Sequence, residues 1–507
     1  MMALSTPLQA AQWLRAQVRG VLQTDSRKVH AGDGFIAWPG AASDGRQYVA
    51  GALTQGAAAC LVESTGAERY AFASERVAAY AGLKADSGPI AAAYYDQPSR
   101  QLDVLAVTGT NGKTSISWWL AQALSSLRPA RPCGLVGTLG LGRAPLPGHA
   151  VDTAQLVSTG LTTPDPVLLQ QAFRRFVDDG LTACAIEASS IGLAEHRLDG
   201  TQIHTALFTN FTQDHLDYHG SMAAYWAAKA ALFDWPGLRA AVVNIDDEQG
   251  AGLAAALQHR ALDVWTVSGK TEARLCARQV RWDEAGLRFL VCEGEAEQVL
   301  ATRLIGQYNV TNLLQVVAAM RTLGVPLVDA VQACQALHPV PGRMDSQGGV
   351  GQPWVVVDYA HTPDALAQVL QALRPLAQQR QGQLWCVFGC GGDRDALKRP
   401  LMGAVASRHA DHVVLTSDNP RSEKPEAIIS QILLGVEGQQ AVRVQVDRAL
   451  AIQQTLQQAD VRDVVLVAGK GHEGEQEIAG VRLPFSDRAE VQRILATRPI
   501  QCEEVKA

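Results

Sequence analysis

The stretch Leu105-Ala-Val-Thr-Gly-Thr-Asn-Gly-Lys-Thr-Ser115 constrains the fold more than any other part of the chain, because an apolar run breaks into glycines and a lysine and then opens a helix-like segment. Leu102 to Val107 suits a buried strand, and Ile116 to Leu124 carries apolar residues at helical spacing. Between them, Gly109 and Gly112 allow the backbone to bend close to a ligand. N–H groups left over at the helix start would face a polyphosphate, with the Lys113 ammonium reaching the terminal phosphates and the Thr114 hydroxyl available to Mg²⁺. The candidate cradle is therefore Gly109, Thr110, Asn111, Gly112, Lys113, Thr114 and Ser115. Its spacing is G-x-x-G-K-T, with Val107 where the usual P-loop has its first glycine. An ordinary strand-to-helix turn is the bland alternative; the strand before it, the helix after it and the paired glycines favour nucleotide phosphate.

At 507 residues the chain exceeds the size at which single cores stop growing, so two to four domains are expected. A net charge of -6 argues against nucleic acid or an anionic membrane surface as the main partner, which makes any anion site local. Nine cysteines lack metal-type spacing, the nearest pair being Cys386 and Cys390, and their odd number suits reduced thiols and the cytoplasm. The first twenty residues carry Arg15 and Arg19 and no long apolar core, so neither a signal peptide nor a membrane anchor is expected.

Residues 1–100 read as a small α/β domain containing Asp25-Ser-Arg27 and ending near Asp96-Gln-Pro-Ser99. From 101 to 337, strand-like runs at Val104–Val107, Thr182–Ile186, Ala206–Thr209 and Ala240–Asn244 alternate with helical stretches, which predicts a mostly parallel sheet. His338-Pro-Val-Pro-Gly342 marks its end. In 338–507 one pattern repeats: apolar runs end in Asp358, in Gly389-Cys-Gly-Gly-Asp393, in Ser417-Asp-Asn419 and in Ala468-Gly-Lys-Gly471. Ligands of doubly wound sheets sit beyond the carboxyl ends of the strands, so these four tips are expected to share one crevice.

Together with the block Phe208-Thr-Asn-Phe-Thr-Gln-Asp-His-Leu-Asp-Tyr-His-Gly220, these features resemble the Mur ligases over nearly the whole chain, with the motifs in family order. The resemblance implies three α/β domains: an N-terminal one (1–100) for a UDP-sugar, a central P-loop-type ATPase (101–337) and a C-terminal Rossmann-like domain (338–507) for an amino acid. It also implies amide formation: ATP phosphorylates a substrate carboxylate, and an amine then displaces phosphate from the acyl phosphate, in cytoplasmic peptidoglycan precursor synthesis. A monomer is expected, although neither a residue pattern nor the resemblance fixes the oligomeric state. Such chemistry gathers anions, and preorganised cations with Mg²⁺ stabilise them.

Carried over residue by residue, the resemblance makes Lys113, Glu187, His215 and Lys229 catalytic, and places one Mg²⁺ on Thr114 and Glu187 and a second Mg²⁺ on His215 and Lys229, the lysine as a carbamate. Without it, Lys229 reads as a snorkelling surface residue, His215 as a satisfied core histidine and Glu187 as a solvated strand end. It further points to Asn309 for the adenine, Arg343 for the phosphates and Asp358 for the ribose, residues that local spacing alone leaves as an N-cap, a salt bridge and a strand-end carboxylate. Toward the UDP-sugar it points to Ser26, Thr162, Thr163, Ser189 and Arg197, although Ile191 and Glu195 replace a frequent histidine and glutamine of the family.

Asp418-Asn-Pro-Arg421 resembles the signature of the members that add meso-diaminopimelate to UDP-N-acetylmuramoyl-L-alanyl-D-glutamate. In that reading Arg421, Asn419 and Arg394 hold the distal carboxylate, Pro420 stiffens the turn, and Glu473 of Gly469-Lys-Gly-His-Glu473 pairs with the distal ammonium. A plain Asn-Pro turn with a surface arginine is the alternative. Two rival functions are a folylpolyglutamate synthase, which needs neither Asp25-Ser-Arg27 nor the Asp-Asn-Pro-Arg signature, and a nucleotide-gated binding module without chemistry.

Overall fold

A computed structural model of the chain describes residues 1–40, 43–147, 149, 156–283, 286–436 and 442–498. It divides into two compact units: Met1–Thr209 with Trp226–Thr266 and Gln315–Ala330, and Asn210–Tyr225 with Val267–Leu314 and Val331–Ala507.

The first unit begins with five parallel strands, β1 (Met2–Leu4), β2 (Leu22–Gln23), β3 (Gly34–Ala37), β4 (Ala59–Glu63) and β5 (Val77–Tyr80), in the order β1-β5-β4-β3-β2. Alternation along β4 sends Leu61 to one face, with Leu14 and Ile90, and Cys60 and Val62 to the other, with Phe35 and Val49. Both faces of β4 are covered, which is why Ala59-Cys-Leu-Val62 is an unbroken apolar run.

The same unit carries β6 (Asp103–Thr108), β7 (Cys133–Gly137), β8 (Gly140–Gly142), β9 (Leu156–Val157), β10 (Ala183–Glu187), β11 (Thr205–Phe208) and β12 (Ala240–Asn244). Their order is β12-β11-β6-β10-β7-β8-β9, parallel except for β8, which is antiparallel to both β7 and β9. Parallel register sets Glu187 opposite Val107, two residues before Gly109, so β10 delivers a carboxylate beside the glycine bend that follows β6.

In the second unit the last two residues of β13 (Asp263–Ser268) pair with β14 (Leu275–Asp283), followed antiparallel by β15 (Gly286–Glu293) and β16 (Ala296–Thr302). This antiparallel meander is a local exception within the mostly parallel pattern predicted for 101–337. Six further strands, β17 (Asp345–Gly348), β18 (Trp354–Asp358), β19 (Leu384–Phe388), β20 (His412–Leu415), β21 (Val442–Val444) and β22 (Val464–Ala468), run β17-β18-β22-β19-β20-β21 and are parallel except for β17. One face packs Val356, Cys386 and Leu466 with Leu370 and Met402; the other packs Val355, Val387 and Val467 with Ile452 and Ile494. A hairpin of β23 (Glu475–Ile478) and β24 (Val481–Pro484) follows.

Among the described residues no helix is long and apolar enough to cross a membrane. Their eight cysteines are buried and unpaired. Burial pushes the Cys133 thiol up to about 12, so it stays protonated and inert.

Candidate functional site

In the first unit the glycine bend after β6 is built as its sequence requires. Gly109 and Gly112 have φ of 144° and 87°, a region closed to most L side chains, and the helix Lys113–Ser126 starts directly after Gly112. The Lys113 ammonium donates to the carbonyls of Gly109 and Thr110, both at 2.8 Å. Lys229, buried on the helix Met222–Ala230, donates to the same Gly109 carbonyl at 2.7 Å. Two ammonium groups thus sit at one bend, and Lys229 is no surface residue. Asn111 accepts through its carbonyl from the Thr209 hydroxyl at 2.6 Å, which ties the loop to the end of β11.

Glu187 closes β10 and is buried. Its Oε2 accepts from the hydroxyls of Thr114 (2.9 Å) and Thr138 (3.1 Å), and its Oε1 from the Thr138 amide at 2.8 Å. Any Cβ at residue 137 would overlap that carboxylate, so Gly137 provides the space. Sequence reasoning missed Thr138 and Gly137, which come beside Glu187 only because their strand is its neighbour in the sheet.

Thr162 shares a hydrogen bond with Thr138 (3.1 Å), and Thr163 donates to the Glu187 carbonyl (2.7 Å) while meeting the Ser189 hydroxyl (2.9 Å). Ser189 caps the helix Ser190–Ala194, and Arg197 donates to the Thr163 carbonyl at 3.1 Å. These four residues therefore adjoin the Glu187 cluster. Glu195 pairs with Lys84 at 2.7 Å. Ser26 begins a 3₁₀ turn whose cap, Asp25, also grips Arg27. The neighbouring loop 39–45 includes Ala41 and Ala42, which lie outside the described residues.

In the second unit His215, at φ 52°, stands beside Asp214, with Nε2 3.4 Å from Oδ2. Although burial opposes it, the Asp214 carboxyl is held down by the nearby His361, His215 and Lys398. Asn309 is committed internally, its amide donating to the Ile305 carbonyl (2.7 Å) and accepting from Asn312 (2.9 Å). Asp358 accepts from the amides of Met344 and Ala360, both at 2.8 Å, and burial raises its pKa against the pull of Arg343. The Arg343 guanidinium lies 4.2 Å over the Tyr359 ring. Asn309 and Asp358 thus act as braces of the local backbone.

The four strand tips of this unit meet. Gly469, at φ 113°, donates its amide to the Asp358 carbonyl (3.1 Å), and a Cβ there would overlap the Asp418 carboxylate. Asp418 itself accepts from the Asn419 amide (2.6 Å), and burial raises its pKa. The Asn419 side chain donates to Glu473 (2.8 Å) and accepts from the buried Lys470 (3.0 Å), which also meets Glu473 at 2.8 Å. Glu473 therefore has a cation already, and a ligand ammonium would have to share or displace Lys470. Arg421 follows Pro420 at φ 51° and donates to the Gly392 carbonyl at 2.8 Å. Arg394 is exposed and donates to the carbonyl of Asp393 (3.0 Å). No cluster of three or more His, Cys, Asp or Glu able to hold a metal occurs among the described residues. A buried carboxylate with an adjoining hydroxyl nonetheless fits Mg²⁺, which is held by one or two carboxylates plus substrate phosphates.

Known proteins place this arrangement. Profiles of the Mur ligase family catalytic domain, the Mur ligase middle domain and the Mur ligase glutamate ligase domain match residues 20–90, 107–320 and 342–471. A UDP-N-acetylmuramoyl-L-alanyl-D-glutamate--2,6-diaminopimelate ligase of Acidovorax sp. (strain JS42) is 61% identical over 98% of this chain and 98% of its own. That of Janthinobacterium sp. (strain Marseille) is 47% identical, covering 96% and 97%. A solved structure of a ligase of the same name superposes with a TM-score of 0.62 at 34% identity, covering 94% of each chain. The chain belongs to the Mur ligase family.

Proposed function

We propose that this protein is a cytoplasmic, monomeric, ATP-dependent amide ligase that joins meso-diaminopimelate to UDP-N-acetylmuramoyl-L-alanyl-D-glutamate in peptidoglycan precursor synthesis. The observation that carries the ATP chemistry is the buried Glu187 carboxylate, 2.9 Å from the Thr114 hydroxyl at the start of the phosphate-loop helix. Relatives 61% and 47% identical over nearly the whole chain carry the substrate assignment. Residues 1–100 bind the UDP-sugar, 101–337 the ATP and 338–507 the amino acid, a division supported by the three profile matches.

Thr114 and Glu187 would hold one Mg²⁺, and His215 with a carbamylated Lys229 a second; bound Mg²⁺ supplies charge neutralisation for the phosphates. Lys113, which curls onto loop carbonyls here, turns to the transferring phosphate, and Gly109 to Ser115 present backbone N–H groups to the triphosphate. Asn309 and Arg343 shape the nucleotide subsite with Asp358. Ser26, Thr162, Thr163, Ser189 and Arg197 face the UDP-sugar. Arg394, Asp418, Asn419, Pro420, Arg421, Gly469 and Glu473 receive the acceptor, whose neutral proximal amine displaces phosphate from the acyl phosphate.

Phosphate release with ATP, Mg²⁺, the UDP-substrate and meso-diaminopimelate tests the reading. Release is expected only when both co-substrates are present; release independent of the amine would point to a plain ATPase. Thr138→Val keeps the amide but removes one hydroxyl from Glu187 Oε2, and is expected to slow ligation about tenfold, or ~1.4 kcal/mol. Thr138→Ser should restore most of that loss; an unchanged rate in the valine variant would remove Thr138 from the site. Lys229→Ala is expected to lose activity and regain part of it with added small carboxylates, which replace the anion of a carbamate. A lysine needed only as a cation would show no such rescue.

A further inference from the structure

The two loops that carry Arg394 and Arg421 are held to each other by a residue assigned no role so far. Arg399, in the first turn of the helix Lys398–His409, is buried to 1% exposure. Its guanidinium grips Glu423 with both forks, Nη1 to Oε2 at 2.8 Å and Nη2 to Oε1 at 2.7 Å. Nη2 also donates to the Gly391 carbonyl (3.1 Å) and Nη1 to Gln431 (2.7 Å). Glu423 in turn accepts from the Asp393 amide at 2.7 Å, while the Asp393 carboxylate takes the amide (3.1 Å) and hydroxyl (2.6 Å) of Ser422. Arg399 therefore ties residues 391–393 to residues 422–423, on either side of the two acceptor arginines. A Cβ at Gly391 would lie 2.9 Å from Arg421 Nη1 and 3.8 Å from Arg394 Cγ, so the two guanidinium side chains flank the very residue whose carbonyl Arg399 holds.

Neither acceptor arginine has a carboxylate of its own within hydrogen-bond distance among the described residues. Arg399 has one, and binds it strongly enough to hold the Glu423 carboxyl down at about 2. Its Nε–H is nevertheless buried without a partner. An ion pair with one partly exposed partner contributes little to stability, and the unsatisfied Nε–H subtracts from that. What a bidentate pair does supply is geometry, because the planar fork fixes both partners in distance and angle.

We propose that Arg399 and Glu423 form a positioning pair that sets the spacing of Arg394 and Arg421, and so the affinity for a doubly acidic amine, without touching that amine. The proposal rests on the acceptor reading above. Its test compares the full-length wild type with Arg399→Lys and Glu423→Gln, measuring kcat and the KM of each of the three substrates. Wild-type turnover on a panel of amino acids fixes the acceptor first. A preference for another amine refutes the diaminopimelate reading, and the pair is then judged on the KM of that amine. Both variants are expected to raise the acceptor KM about tenfold or more, as loss of outer-sphere support does elsewhere, with kcat and the KM of ATP and of the UDP-substrate within about twofold. Should Arg399→Lys fail to fold, Glu423→Gln, at a half-buried carboxylate, carries the test alone. A folded variant with an unchanged acceptor KM, or one that raises all three KM values equally, overturns the proposal.

Discussion

Glu187→Gln is expected to slow ligation about a thousandfold, ~4 kcal/mol of barrier, in a protein that still folds. The fold survives because the cluster can adapt. Glu187 Oε1 faces the Thr138 amide and must remain an acceptor, whereas Oε2 faces two hydroxyls, which can rotate to accept from an amide NH₂. Glutamine therefore fits with its oxygen toward Thr138 N, at a cost near that of one neutral hydrogen bond, ~1 kcal/mol. What it cannot replace is the negative charge beside the glycine bend, where in the proposed reading Thr114 and Glu187 anchor a divalent cation. Gly137→Ala reaches the same carboxylate through space instead of charge, since its methyl would overlap Glu187, and is expected to lose activity in the same direction. Thermal melting separates loss of fold from loss of chemistry, and Mg²⁺ titration reports the anchorage. A Glu187→Gln enzyme within tenfold of wild type, at the same Mg²⁺ requirement, would show that this carboxylate serves the fold alone.

Glycines and charges at strand ends made the phosphate loop legible, because only a backbone meant to bend around a ligand concentrates Gly109, Gly112, Lys113 and Thr114 between a strand and a helix. The tips at Asp358, Gly389, Ser417 and Ala468 were legible for a related reason: parallel strands buried on both faces are apolar until they end. The antiparallel strands Leu275–Asp283, Gly286–Glu293 and Ala296–Thr302 were not. They alternate weakly, with Arg278, Arg281 and Arg288 among the apolar residues, so no clean period-two pattern stands out. Partnerships across the sequence stayed hidden as well. Thr138 meets Glu187 only because β7 and β10 are neighbours, and Lys470 holds Asn419 only because two distant loops coincide; neither pairing has a local signature. Asn309 shows the converse, for a residue marked out by its motif is engaged by Ile305 and Asn312 within its own segment.

Arg421→Ala is expected to lower kcat/KM for meso-diaminopimelate about a hundredfold, ~3 kcal/mol, chiefly through KM. The arginine is held from behind: its amide donates to the Glu477 carbonyl (3.0 Å) and its carbonyl accepts from Ala479 (2.7 Å), with the strained positive φ turning the side chain toward Gly392. Its nearest acid, Glu477, stands 4.0 Å away, beyond a hydrogen bond, and the side chain is 23% exposed. In the proposed reading this half-desolvated cation, with only a carbonyl to bond, receives an anion that arrives with the substrate. A dicarboxylic diamine brings one to this place; lysine, with a single carboxylate, does not. The wild type should therefore discriminate against L-lysine by about the factor that the alanine variant loses on meso-diaminopimelate. Lysine turnover itself should hardly change on removing Arg421, so the ratio of the two specificities collapses toward one. Steady-state kinetics with both amines on both proteins decides the matter: an alanine variant that keeps the wild-type ratio would mean that selectivity resides elsewhere, with Arg421 only closing the turn between Pro420 and the hairpin that begins at Glu475.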